Sequence, residues 1–407
     1  MALRIDTSAS PDLDLADPAF WHRPPAERLA AFRRLRALES PIYFREKTGG
    51  FHALLHHRHV TTASRTPEVF ISGPGVTTPR PPRWVRFVFG DSMVNLDDPR
   101  HARLRGVVAR AFTPRVVARI FDDVTRVASE VVDDVMAERP DDFVEAVAGR
   151  LPFTVICDMM GIPDAYRREV LDQIDHSTER AGGRRLRLPG EHLRALARMQ
   201  RVVGKVGRDR RRSPSGDLIS ALVTADVDGK RLTGRELGSF FSLLLVAGVE
   251  TSRNAIAHGL HLLTANPDQR ALLGDHFERH AAGFVDEVVR HSSPIIQFRR
   301  TLAVDYEMDG YPLRAGDDVV LFYTSANRDE AVFTDPDTFD ITRRPNPHVG
   351  FGGGGPHFCL GTALARQEMT VLFRELLTRL PAIRSTGEPE LVPSNFDNRI
   401  ARLPFAF

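Results

Sequence analysis

Apolar residues recur at helical spacing through most of the chain from about residue 101 to 273, with breaks at Pro114, Pro140, Gly161-Ile162-Pro163, Gly182-Gly183 and Pro189. Each break is a helix stop, so the pattern predicts a succession of helices. Ahead of them an amphipathic helix is expected over 26–38, then a hairpin whose strands, 41–44 and 51–55, join through Gly49-Gly50. Prolines and glycines crowd residues 72–86 (Gly73, Pro74, Gly75, Pro79, Pro81, Pro82), predicting a long irregular loop of the kind that is often functional. The polar, glycine-punctuated stretch 180–190 reads as a mobile connector between helices. A second β region is expected over 304–311 and, after a turn at Ala315-Gly316, over 318–323; a helix over 360–380 follows. No internal repeat is visible. The predicted fold class is mainly α with small β-sheets near each end.

Composition narrows this picture only a little. With 42% hydrophobic and 27% charged residues the chain has material for a large core, and its length permits one large unit or several. A formal charge of +2 argues against a dedicated nucleic-acid binder, although basic residues cluster over 208–212. Asp6, Asp12, Asp14 and Asp17 interrupt anything resembling a signal peptide or anchor, and the most apolar stretch, 240–249, is too short to span a bilayer. A cytoplasmic protein without a membrane anchor is expected. Two cysteines, Cys157 and Cys359, cannot build a disulfide framework or a four-cysteine metal site. Cys157, within Val155-Ile156-Cys157-Asp158-Met159-Met160, reads as a small apolar core residue.

Cys359 is different. It ends the run Phe351-Gly352-Gly353-Gly354-Gly355-Pro356-His357-Phe358-Cys359 and stands before the helical pattern that starts Leu360-Gly361-Thr362. Consecutive glycines let a backbone approach something closely. A sulfur near a helix N-terminus meets free N–H groups and the positive end of the dipole, both of which favour the thiolate, a soft ligand for iron. A phosphate-cradling loop would need lysine followed by serine or threonine after the glycines, and neither is there. A merely packed cysteine would not need four glycines and a neighbouring histidine.

A second motif lies in a long helix expected from the capping box Thr233/Glu236 to about Thr264. Within it, Leu244, Ala247 or Gly248, and Thr251 share one face. The small residues Ala247 and Gly248 leave room for a flat cofactor, and the Thr251 hydroxyl can bond back to the Ala247 carbonyl.

Together these segments resemble the cytochrome P450 superfamily, the haem-thiolate monooxygenases. In that family's haem-binding loop a phenylalanine and glycines precede the cysteine; here Phe351 lies one residue further away because of the extra glycine. The lead-in Asn346-Pro347-His348-Val349-Gly350-Phe351 resembles a bacterial subgroup, the methyl-branched lipid omega-hydroxylases and sterol side-chain oxidising enzymes. So do Ser92 to Asp98, Phe112-Thr113-Pro114, Ile156 to Pro163 and Ser325 to Asp329, so the resemblance runs through nearly the whole chain.

The resemblance implies a single cytochrome P450 domain over 1–407, with a long central helix over a haem (heme b, iron protoporphyrin IX) and Cys359 beneath it as the iron ligand. It implies Gly353 and Gly361 in the haem loop, with Ala247 and Gly248 against the haem. Thr251 and Glu250 become an acid–alcohol pair passing protons to the dioxygen being activated. His101, Arg105, Arg300 and His357 match the residues that bind the haem propionates. Arg300 is placed before a strand at 304–307. Glu287 and Arg290 match a helix pair that locks the core with a later arginine, best filled by Arg343.

Substrate selection is assigned to the loop 73–96, the connector after Ile174 and the strand 295–298, with Val94, Leu244, Ala247 and Ile295 as apolar walls suited to a lipid, sterol or terpenoid. The loop around Arg80, Arg83 and Trp84 reads in two ways, as a simply solvated loop or as one that offers a cation to a carboxylate at the substrate's far end. With no reductase domain expected in the chain, the family analogy implies O2 and NAD(P)H-derived electrons from a ferredoxin and ferredoxin reductase, with Arg110, Arg115 and Arg366 as docking charges. The expected activity is hydroxylation of an unactivated C–H bond. The alternatives are a tailoring oxidase of polycyclic terpenoids or polyketides and a haem sensor without turnover; Glu250 and Thr251 argue against the sensor.

Overall fold

The computed structural model describes residues 11–38, 41–46, 49–78, 80, 92–111, 114–178, 190–215, 217–224, 226–227 and 230–407. In chain order the helices are α1 (Pro25–Arg36), α2 (His57–Arg65), α3 (Arg100–Ala111), α4 (Pro114–Glu138), α5 (Arg150–Met160), α6 (Asp164–Thr178), α7 (Gly190–Arg212), α8 (Leu218–Thr224), α9 (Gly234–Ala265), α10 (Pro267–Asp275), α11 (Phe277–Ser292), α12 (Tyr323–Ala326) and α13 (Thr362–Arg379). The strands are β1 (Ile42–Arg45), β2 (Gly50–Leu54), β3 (Phe70–Ile71), β4 (Asp226–Val227), β5 (Lys230–Arg231), β6 (Gln297–Leu302), β7 (Tyr306–Met308), β8 (Tyr311–Leu313), β9 (Asp318–Phe322), β10 (Arg384–Ser385), β11 (Glu390–Leu391), β12 (Ile400–Arg402) and β13 (Phe405–Ala406). Two compact units emerge. One joins Met1–Arg80, Ala265–Thr362 and Leu391–Arg399; the other joins Pro81–Thr264, Ala363–Glu390 and Ile400–Phe407.

In the first unit five strands form one sheet in the order β1-β2-β9-β6-β3. The expected early hairpin is β1–β2, with Ile42 opposite Ala53 and Arg45 opposite Gly50. β2 runs parallel to β9, while β6 is antiparallel to β9 and to β3. The sheet buries one end of its apolar surface on an aromatic cluster in which Trp21 stacks on Phe322 with centroids 6.3 Å apart, and the Trp21 Nε1–H donates to the Leu15 carbonyl at 3.2 Å. The region after 295 departs from expectation. Residues 304–311 are not one strand but parts of β7 and β8, which reverse at Asp309-Gly310, both at positive φ (51° and 79°). The strand before them, β6, contains Arg300, which the sequence pattern places outside any strand. Its neighbour Arg299 is tolerated in the sheet because Glu46 (2.8 Å) and Asp318 (3.1 Å) meet its guanidinium there.

The second unit is helical, with small two-stranded sheets such as β10–β13 and the hairpin β4–β5, which hydrophobic patterning does not predict. Its longest helix, α9, starts at the expected capping box. The Thr233 N–H donates to Glu236 Oε2 at 3.0 Å, and the Glu236 N–H donates to Thr233 Oγ1 at 3.2 Å. Further along, the Ser252 hydroxyl donates to Glu368 Oε2 of α13 at 2.9 Å. Glu368 is 1% exposed, and its other oxygen has no partner among the described residues. Burial pushes this carboxyl up to about 8, although the Ser252 hydrogen bond pulls the other way. Among the described residues no helix is long and apolar enough to cross a membrane.

One ion pair organises the first unit. Glu287 and Arg290, three residues apart on α11, are both fully buried. Arg290 donates to both Glu287 oxygens (2.7 and 2.8 Å) and to the carbonyls of Asn327, Pro336 and Thr338. Glu287 also accepts from Arg343 (3.3 Å), from Asn346 (3.1 Å) and from the Asp340 N–H (3.0 Å).

Two outcomes follow for stability. Arg290→Leu leaves a buried carboxylate short of its main partner and three carbonyls unmet, costing about 3–5 kcal/mol. The loss should show as a fall in the urea midpoint, and Arg290→Lys should recover little of it, since one ammonium cannot serve five acceptors. For Glu368, the unfolded chain releases the proton near the ordinary 4.5 and the folded chain at about 8. Across that window the folded state holds the extra proton, so stability falls as pH rises. Glu368→Gln removes this slope, and the variant should gain on the wild type between pH 5 and pH 8 by on the order of a few kcal/mol. Urea midpoints whose difference stays constant across that window would refute the assignment.

Candidate active site

The glycine-rich loop lies on α2. Gly352, Gly354 and Gly355 have φ of +103°, +93° and +73°, a region costly for any residue with a side chain. A Cβ on Gly355 would collide with the Ser64 carbonyl oxygen, and one on Gly353 would stand 2.6 Å from Ser64 Oγ. The close approach these glycines permit is therefore to the last turn of α2. Upstream, a Cβ on Gly350 would stand 2.5 Å from Val289 Cγ1 of α11, so the lead-in is equally tight.

The loop closes on itself at the cysteine. The Cys359 N–H donates to the Phe351 carbonyl at 2.9 Å, and the Cys359 carbonyl accepts from Thr362 Oγ1 at 2.8 Å. The helix begins at Thr362, two residues later than the sequence pattern indicates. Cys359, Phe358 and Gly361 are exposed, and a Cβ on Gly361 would meet nothing within 4 Å. Among the described residues no three His, Cys, Asp or Glu side chains gather as a metal cage. The donor set is thus one exposed soft sulfur on a braced loop with open space beside it, which fits an iron porphyrin, since the macrocycle would bring the metal's remaining donors with it.

On α9 the burial pattern separates two faces in mid-helix. Leu245, Val249, Glu250 and Ser252 are buried, whereas Val246 and Ala247 are exposed and Leu244, Gly248 and Thr251 are half-buried. The Thr251 hydroxyl donates to the Ala247 carbonyl at 2.7 Å. Gly248 serves a different purpose from Ala247, because a Cβ there would stand 2.8 Å from Ile156 Cδ1 of α5; its smallness is a matter of helix packing. Glu250 is 5% exposed, and its Oε2 accepts from the Arg253 guanidinium at 2.8 Å. Sequence reasoning misses Arg253, though the i, i+3 spacing to Glu250 is visible in it. It also misses Ser252–Glu368, for which a lone acid in a helix gives no signal.

The four candidate propionate partners fall in two pairs. His101 and Arg105 lie on α3 in the second unit; His101 is 1% exposed, with Nδ1 3.5 Å from Asp98 Oδ1. Burial, helped by the Arg105 charge, holds this imidazole below its usual pKa against the pull of Asp98. Arg300 and His357 belong to the first unit. Arg300 is buried and donates to the Arg299 carbonyl at 2.8 Å, while His357 Nε2 is 3.2 Å from Ser72 Oγ.

Of the apolar wall candidates, Val94 sits half-buried in a 3-10 turn (Met93–Asn95), and Ile295 is half-buried with its backbone bridged to Asp397. Arg80 is not a free cation for a substrate: it bonds Asp318 and Thr301. Residues 79, 81–91 and 179–189, including Arg83 and Trp84, lie outside the described residues, as do the side chains of Arg110 and Arg115. Arg366 is exposed on α13.

The cytochrome P450 family profile matches residues 281–395. The methyl-branched lipid omega-hydroxylase of Mycobacterium tuberculosis is 43% identical over 99% of this chain and 98% of its own length. A steroid C26-monooxygenase of the same organism is 36% identical over 98% of this chain and 94% of its own. Among solved structures, a Mycobacterium marinum cytochrome P450 in complex with pseudoionone shares 39% identity and a TM-score of 0.91, covering 97% of this chain and 98% of that one. Likeness at this level, along nearly the full length, carries the cofactor, haem b, and the reaction class, monooxygenation. The chain belongs to the cytochrome P450 family of haem-thiolate monooxygenases.

Proposed function

We propose that this enzyme hydroxylates an unactivated C–H bond near the end of a methyl-branched, apolar chain. Relatives named for methyl-branched lipids and for a steroid C26 position support this reading. The observation that carries it is the accessible face of α9, where Leu244 and Ala247 share one side with the Thr251 hydroxyl and no charged residue of the helix between 244 and 251 lies on that side.

A haem held through Cys359 would supply the oxidising power for insertion of one atom of O2 into the substrate, the other leaving as water. The protein's own residues govern protons and orientation. Thr251, parked on the Ala247 carbonyl, is a rotatable O–H that passes a proton toward the reacting oxygen. Glu250, held by Arg253, is its source of resupply. His101 and Arg105 on α3, and Arg300 and His357 in the first unit, are the residues that would hold the haem propionates, and Val94 and Ile295 are the further candidates for apolar contact with substrate. Electrons come, in the cytoplasm, from an acidic ferredoxin and its NAD(P)H-dependent reductase, with Arg366 among the docking charges.

Spectral titration of the ferric enzyme tests the substrate class. Branched fatty acids should shift the Soret band at lower concentration than sterols or polycyclic terpenoids; preference for rigid polycycles would favour the tailoring alternative. Cys359→Ser should abolish the thiolate-type band of the reduced carbon monoxide complex. In Thr251→Ala, product per NADH consumed should fall on the order of tenfold to a hundredfold, with hydrogen peroxide taking its place.

A further inference from the structure

Helix α7 carries a charge distribution unlike the rest of the protein. Its 23 residues hold eight cations (seven Arg and Lys205) against Glu191 and Asp209, a net of +6 in a chain whose total is +2, leaving the other 384 residues at −4. The charge is also ordered. Arg198, Arg201, Lys205, Arg208 and Arg212 follow one another at spacings of three, four, three and four, which puts them in one row about 21 Å long. All five are exposed, while Val202, Val203 and Val206 on the opposite side are buried.

Most exposed arginines elsewhere are engaged: Arg126 bridges Asp123, Glu130 and Asp158, and Arg314 holds Asp305. On α7 the inward-turned Arg210 is likewise tied to Asp217 and to the Gly161 carbonyl. Among the described residues, Arg198, Arg201, Arg208 and Arg212 make no ion pair or hydrogen bond, and Lys205 rests over the Tyr166 ring. Asp209 is the one carboxylate in the helix segment from Arg198 to Arg212. Five aligned cations repel one another, and a helix gains nothing from keeping them unmatched.

We infer that this row docks the enzyme on an anionic lipid headgroup surface. Arginine outnumbers lysine, and the guanidinium fork matches phosphate oxygens in pairs. The described exposed residues from Arg198 to Arg212 are all charged, so the face lacks the aromatic or aliphatic anchor around which a protein partner is usually built. The described apolar side chains of α7, Val202, Val203 and Val206, are committed to the protein interior, so attachment there is peripheral and electrostatic, without insertion. This goes beyond the substrate reading and does not depend on it, since the binding needs neither substrate nor turnover.

The full-length holoprotein would be sedimented with phosphatidylcholine vesicles and with vesicles containing a third phosphatidylglycerol. The variants are Arg201→Gln/Arg208→Gln/Arg212→Gln and, as an equal-charge control, Arg33→Gln/Arg126→Gln/Arg314→Gln. An unchanged carbon monoxide spectrum certifies each as folded. The wild type should bind only the anionic vesicles and lose binding as salt rises; the α7 variant should bind at least about tenfold more weakly and the control nearly as well as the wild type. Equal binding to neutral vesicles, or an α7 variant that binds like the wild type, overturns the inference. An equally large loss in the control overturns it too, as does retention on duplex DNA through the same arginines with vesicles ignored.

Discussion

A carboxylate removed entirely from water must be met on every side, and Glu287 is met by two guanidinium groups, an amide and a backbone N–H. The desolvation of such a pair is severe enough that it contributes little net stability, while breaking it is expensive. What it contributes is position. Arg290 fastens the carbonyls of Asn327, Pro336 and Thr338, and the Asn327 side chain in turn accepts the Val349 N–H at 2.7 Å. Val349 leads into Gly350, pressed on α11 itself, and so into the cysteine loop. The Cys359 sulfur thus stands at the end of a chain of contacts that starts from one buried charge.

The loop beyond it is held by shape more than by charge. Its glycines admit the backbone to the end of α2, and two hydrogen bonds at Cys359 fix where the turn stops and the helix starts. A sulfur ligand on a floppy loop would sample many positions; here the neighbouring backbone has few to choose from. The open stretch of α9 is the complementary case, a helix otherwise committed to the core that keeps a few apolar side chains in reserve.

Features that rest on neighbours along the chain are legible in the amino-acid sequence alone. The capping box of α9, the early hairpin, the Thr251–Ala247 bond and the glycine run all declare themselves within a few residues. Features that depend on distant partners are not. β6 is anticipated only at its start, in the strand expected over 295–298, because Arg299 and Arg300 break any strand periodicity, and Glu46, Asp318 and Thr78 make the first of them tolerable in a sheet. The same distance hides the commitment of Arg80 to Asp318 and the pairing of Glu368 with Ser252. The β7–β8 reversal is a different failure, since Asp309-Gly310 is a strong local turn signal within a stretch that otherwise reads as strand.

Glu250, Thr251 and Ser252 are consecutive, and each step along a helix turns about 100°. One therefore engages Arg253, the next its own backbone, and the third the carboxyl of α13. Which residue takes which bearing is set by how many positions separate the trio from the cap at Thr233. Losing a single position in that interval would swing all three by one step and leave a hydroxyl where an acid belongs, and adding one would put Val249 there. The interval can therefore accept new side chains but not a new length: what it conserves is phase.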